Sequence, residues 1–172
     1  MTGPTRTVSI ISDNDDRKTE LLEAALDYAA RGWAVHPCKG KLPRINDWPN
    51  AASTDSEIIS GWWAQWPTAN IGIATGARSG IVVLDVDVDP DKGIDGEASL
   101  AALEAKYGPS PETRQVRTGR GGRHLYFKHP GHLVQTRAGS LGPGLDVRGD
   151  GGLVIAPPSV HSNGNRYTWC EE

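Results

Sequence analysis

The sequence predicts an α/β (α+β) fold in which helices pack on a mixed, largely antiparallel sheet. Stretches with helical apolar spacing alternate with short apolar runs of strand length. Glycine and proline, 21 and 12 of the 172 residues, break those runs at close intervals. Most of the later runs are joined by connections too short for a parallel crossover, which favours antiparallel pairing.

The elements follow in order. Residues 1–18 are polar, with Asp13, Asp15 and Asp16 close together, and read as a loose tail ahead of one domain spanning 19–172. A helix opens at Thr19: Leu21, Leu22, Ala25, Leu26 and Ala29 recur at helical spacing and Gly32 is placed to end it. Residues 33–36 form a strand stopped by Pro37, and 38–49 a loop carrying Lys39, Lys41 and Arg44. Thr54-Asp55-Ser56-Glu57 has the form of a capping box, so a helix runs from there to Gln65, carrying Trp62 and Trp63, with Trp66 just beyond and Pro67 closing it. Strands at 71–75 and 81–88 flank Gly76-Ala77-Arg78-Ser79-Gly80, and a helix at 96–107 ends at Gly108-Pro109. Strands near 113–117, 124–128, 145–148, 153–156 and 166–169 complete the chain.

Bulk properties narrow the function. The formal net charge of −3 argues mildly against a nucleic-acid binder, but its distribution is uneven. Between 113 and 148 stand Arg114, Arg117, Arg120, Arg123, Lys128, Arg137 and Arg148, against a single acid, Asp146. Acids gather instead at 13–16 and 85–97. A basic region facing an acidic cluster suits a metal site that handles polyphosphate. Cys38 and Cys170 form no CxxC pair, which disfavours structural zinc. The sequence contains neither a signal-peptide-like apolar run nor a stretch near the ~20 apolar residues of a membrane span.

Three stretches carry chemistry. In Ile81-Val82-Val83-Leu84-Asp85-Val86-Asp87-Val88-Asp89, alternation puts Val83, Asp85, Asp87 and Asp89 on one strand face. Carboxylates two residues apart, with Cα atoms roughly 6.5–7 Å from each other, can converge on a pair of ions about 3.5–4 Å apart. Without a cation, such like charges are costly to bury together. Asp89-Pro90-Asp91 reads as the turn that ends the strand. The second stretch, Thr118-Gly119-Arg120-Gly121-Gly122-Arg123-His124, combines glycines that admit a phosphate to the backbone with arginines that bind it bidentately. Read alone, it is equally a hairpin turn with solvated arginines. In the third, Asp146 and Arg148 share a face opposite Leu145 and Val147, so Asp146 is either a third acid from another strand or a partner for Arg148. Asp150, before Gly151-Gly152, reads as a turn residue.

In this order the three stretches resemble the bifunctional primase-polymerase domain of the archaeo-eukaryotic primase superfamily, found in plasmid and phage replication proteins. Ala30-Arg31-Gly32-Trp33-Ala34-Val35-His36-Pro37, Lys41-Leu42-Pro43, Trp62-Trp63, Asn70-Ile71-Gly72-Ile73-Ala74-Thr75-Gly76 and Ala156-Pro157-Pro158-Ser159 extend the likeness from about Leu22 to Trp169. The resemblance implies a primase-type domain, partly RRM-like. It implies that Asp85, Asp87 and Asp146 are catalytic and hold two Mg²⁺ or Mn²⁺ ions. It also implies that His124 contacts the phosphates of an incoming nucleotide, with Gly122 where relatives often hold serine. Arg120 and Arg123 then join His124 on the triphosphate, and Arg148, Lys39 and Lys41 contact phosphate or template. The expected activity is primer synthesis and extension on single-stranded DNA from nucleoside triphosphates. Related proteins continue into a helicase, so this chain is expected to be the N-terminal part of a larger replication protein in the cytoplasm of a bacterial or archaeal host cell. The competing readings are a metal-dependent nuclease, which needs the same acids, and a non-catalytic single-strand binding module, which would need aromatics on its strands instead.

Overall fold

A computed structural model describes residues 13–170. The elements in chain order are α1 (Asp13–Ala30), β1 (Val35–Lys39), β2 (Leu42–Pro43), α2 (Trp48–Ala51), α3 (Ser56–Gln65), β3 (Asn70–Ala74), β4 (Ile81–Val86) and β5 (Val88–Asp89). A 3₁₀ turn at Pro90–Lys92 leads to β6 (Ile94–Asp95), α4 (Gly96–Tyr107), β7 (Gln115–Arg117), β8 (Arg123–Lys128), β9 (Leu145–Arg148), β10 (Leu153–Ala156) and β11 (Thr168–Trp169). The mixture of helices and antiparallel strands is the expected class, and every pairing between these strands is antiparallel.

Several boundaries differ from the sequence reading. α1 begins at Asp13 rather than Thr19. Asp15 and Asp16 sit in its first turns, where acids complement the positive helix end, and Asp15 binds Lys18 at 2.8 Å. The rest of the expected tail, residues 1–12, lies outside the described residues. At α3 the cap is Asp55, one residue later than the capping box places it: its carboxylate accepts from the Glu57 and Ile58 N–H groups. β1 runs through Pro37 instead of stopping there. The Pro37 carbonyl accepts from the Arg44 N–H, so its missing N–H faces the β2 side, where the ladder is only two residues long, and breaks no bond to β3. The expected loop after β1 contains β2 and the helical turn α2.

The strands form two principal sheets, in the orders β10-β3-β1-β2 and β11-β7-β8-β4-β9, plus the ribbon β5-β6. Short connections do not always make hairpins here. β3 and β4 belong to different sheets, as do β9 and β10. Asp150 ties these two crossings together: its carboxylate accepts from Ala77 N–H at 2.9 Å and from Val134 N–H at 2.8 Å. Those bonds, with His129 at 3.2 Å, hold its carboxyl down at about 2. Gly76 is required at this junction, since a Cβ there would lie 2.4 Å from the Asp150 Cα.

The main core joins both sheets to α1 and α3. Leu21, Ala25, Tyr28 and Ala29 bury one face of α1, and Ile59 and Trp63 do so for α3, against Ile71, Ile73, Val83, Val116 and Val154. Tyr28, Trp33, Tyr126 and Trp169 stack through it, with Trp33 and Tyr126 centroids 5.5 Å apart, and the Trp169 Nε1–H donates to the Tyr28 hydroxyl. Trp63 is therefore a core residue, Trp62 packs against the same core, and Trp66 stacks with Arg44. A smaller cluster of Val86, Leu100, Leu125 and Leu145 seats α4 on the far face of the second sheet.

Candidate metal and nucleotide site

β4 is flanked by β8 on one side and β9 on the other. The registers place Asp85 opposite His124 and opposite Asp146, so His124, Asp85 and Asp146 form one row across three strands. The next row on the same face is Tyr126, Val83 and Arg148. The strand β4 ends at Val86, so Asp87 lies in a break between β4 and β5 rather than inside one long strand. Its backbone is nevertheless fixed: the Asp87 N–H donates to Gly144 and its carbonyl accepts from Gly96, each at 2.8 Å. Glycine permits that approach, because a Cβ on Gly96 would meet the Gly144 and Asp87 carbonyl oxygens at 2.5 and 2.7 Å.

This scaffold brings carboxylate oxygens of Asp85, Asp87 and Asp146 within 4.8 Å of one another. Asp85 is 7% exposed. Burial opposes its ionisation, yet the hydrogen bond and charge of His124, with the charges of Arg148 and Lys41, hold its carboxyl below the ordinary carboxylate range. Asp87 goes the other way: burial and then the charges of Asp85 and Asp146 push its carboxyl up. Arg148 spans the cluster, reaching Asp85 at 3.2 Å and Asp146 at 2.8 Å. Three convergent acids, one held back from ionisation by burial and by its acidic neighbours, make a hard oxygen-donor set that fits a divalent cation.

A pocket of about 270 Å³ opens beside Asp87, lined by Lys41, Val88, Asp89, Lys92, Ile94, Arg120 and His161. Lys41 and Arg120, from separate loops, thus line one pocket. Asp89 sits at the pocket wall outside the acid cluster, bound by Lys92 at 3.1 Å and Arg120 at 2.5 Å, which hold its carboxyl down. His124 lies beside the acids, its Nε2 3.4 Å from Asp85 and its buried Nδ1 without a hydrogen-bond partner among the described residues.

Arg123 is elsewhere. It pairs with Val86 in the register and points to the opposite face of the sheet. There its guanidinium forks onto Glu97 of α4 at 2.5 and 2.7 Å and also donates to Gln115. Strand alternation gives the reason: one residue from His124 is the other face. Lys39 ends β1 exposed and does not line the pocket. Gly122 is constrained, since a Cβ there would lie 2.2 Å from the Val86 carbonyl oxygen. Lys92 and His161 line the pocket without having been singled out from sequence. His161 does close the Pro157-Pro158-Ser159 stretch that runs beside β3, and its proximity to Arg120 is purely tertiary.

The family model described as bifunctional DNA primase/polymerase, N-terminal (Prim-Pol), matches residues 25–172. No curated protein sequence matches the chain significantly.

Proposed function

The chain belongs to the bifunctional DNA primase/polymerase family, and from that premise we propose that it carries out template-directed nucleotidyl transfer on single-stranded DNA. The observation that carries the reading is the convergence of Asp85, Asp87 and Asp146 beside a pocket lined by Lys41, Arg120 and His161. A primer 3′-hydroxyl, or that of a first nucleotide, attacks the α-phosphate of an incoming nucleoside triphosphate. The bond to the β-phosphate breaks and pyrophosphate leaves. Asp85, Asp87 and Asp146 would hold two Mg²⁺ or Mn²⁺ ions, which when bound lower the hydroxyl pKa and neutralise charge on the leaving group.

The protein's own groups do the positioning. His124 keeps Asp85 ionised and oriented and meets the phosphates from the acid side. Lys41, Arg120 and His161 receive them from the pocket side. Arg120 spends one guanidinium nitrogen on Asp89 and keeps its remaining donors for phosphate. Arg148 supplies the charge that allows Asp85 and Asp146 to face each other.

The test is a labelled primer on a single-stranded template with either ribo- or deoxynucleotides and either Mg²⁺ or Mn²⁺. Lengthening of the primer is expected. Metal-dependent shortening would establish a nuclease instead, and binding with neither reaction a non-catalytic single-strand module.

A further inference from the structure

The motif beginning at Asn70 has no role in the chemistry above, yet Asn70 is only 6% exposed and its carboxamide is fully engaged. Its Nδ2 donates to the Gly40 carbonyl at 3.1 Å and to the Val160 carbonyl at 2.7 Å, while its Oδ1 accepts from the Val160 N–H at 3.0 Å. Only an amide supplies two donors and an acceptor in this arrangement; a carboxylate would set oxygen against two carbonyls. Gly40 precedes Lys41, and Val160 precedes His161. The β1–β3 register ends at the pair Cys38–Asn70, so Gly40 lies past the last ladder pair and the Asn70 side chain extends the support to it.

Two further carboxamides act on the third pocket residue. Asn163 and Asn165 each donate from Nδ2 to the Gly119 carbonyl at 2.9 Å, and Gly119 precedes Arg120. Gly119 also lies flat against His161, where a Cβ would come within 2.3 Å of the His161 Cβ. The His161 Nδ1 accepts from the Asn163 N–H at 3.2 Å, so in the neutral ring Nε2 carries the proton.

We propose that Asn70, Asn163 and Asn165 are positioning residues that together fix the nucleotide pocket: each holds the backbone one residue before Lys41, His161 or Arg120, so that three side chains from separate loops present donors to one triphosphate. This rests on the nucleotide reading of the pocket. It assigns the asparagines no contact with substrate and no part in holding metal.

The experiment compares wild type, N70A and N163A/N165A by calorimetric titration with inorganic tripolyphosphate and by Mn²⁺ binding in paramagnetic resonance, alongside thermal midpoints. Both variants are expected to lose roughly tenfold or more in tripolyphosphate affinity, as small displacements of positioned groups do, with Mn²⁺ affinity unchanged. In primer extension the loss should appear in the nucleotide KM more than in kcat. Asn163 and Asn165 are exposed, so the double variant carries the test even if N70A does not fold. Unchanged tripolyphosphate affinity in the double variant, or an equal loss of Mn²⁺ affinity, overturns the proposal. Absence of tripolyphosphate binding by wild type overturns the nucleotide reading itself, and the two failures are thereby told apart.

Discussion

Asp85 and Asp146 stand opposite each other on adjacent antiparallel strands, and the single guanidinium of Arg148 binds both. Like charges so placed repel, and the arrangement persists because Arg148 on one side and His124 on the other compensate them. Asp87 is compensated less well: burial and the charges of Asp85 and Asp146 raise its carboxyl by more than the charges of Lys41 and Arg148 lower it. The cluster therefore contains one well-satisfied acid and one under electrostatic stress, and the two should respond differently to mutation.

Asp87→Asn should leave the metal-free protein as stable as wild type or more so, because the ionised form of Asp87 is the one its surroundings disfavour. The same variant should lose extension on the order of a hundredfold or more, the scale of removing one transition-state-stabilising group, and should lose Mn²⁺-dependent stabilisation. Asp85→Asn should destabilise the metal-free protein, since it removes the charged partner of His124 and one of the two carboxylates that bind Arg148. Thermal melts in EDTA and in Mn²⁺, beside primer extension, check both. An Asp87→Asn protein that Mn²⁺ still stabilises as in wild type would remove Asp87 from the site.

Arg120 and Arg123 are three residues apart but lie at different places, one at the pocket and one on the α4 side of the sheet. Arg120→Ala should raise the nucleotide KM roughly tenfold, as loss of a charge-assisted phosphate contact does. Arg123→Ala should leave that KM near wild type and lower stability by about 1 kcal/mol or less, because its pair with Glu97 is partly solvent-exposed. Steady-state kinetics in nucleotide, with urea denaturation of both variants, separate these outcomes.

His36 makes stability pH-dependent. It is fully buried beside Cys38 and Trp48, its Nε2 has no partner among the described residues, and burial lowers its pKa to about 4. The folded state thus declines a proton that the unfolded chain accepts. Its contribution is complete above about pH 6.5 and falls as pH drops toward 4, by up to ~1.4 kcal/mol per unit. Asp87 acts with the opposite sign, so the measurement belongs in the Asp87→Asn background. Asp150, with its carboxyl at about 2, loses its contribution only below the ordinary carboxylate range. Urea denaturation from pH 7 to 4.5 should show the decline, and the His36 ring signals should stay those of a neutral imidazole above pH 5. Protonation of His36 near pH 6.5 in the folded protein would refute this.

The sequence by itself determined what depends on local periodicity. The strand carrying Asp85, the alternation that puts Asp85 with Val83 and Asp146 with Arg148, the helix at Gly96–Tyr107 and the apolar face of α1 all follow from spacings of two or of three to four residues. Alternation also held the information that Arg123 and His124 face opposite ways, which the Gly-Arg-rich composition of that stretch obscured. Only the tertiary structure decided the rest. Register between strands far apart in sequence set Asp85 against Asp146, and nothing local encodes register. Whether a short glycine turn closes a hairpin or carries the chain to another sheet depended on Asp150 binding the backbone of two other segments. His161 and Arg120 became neighbours through the Asn163 and Asn165 bonds to Gly119, contacts whose partners lie too far apart along the chain for any periodicity to report.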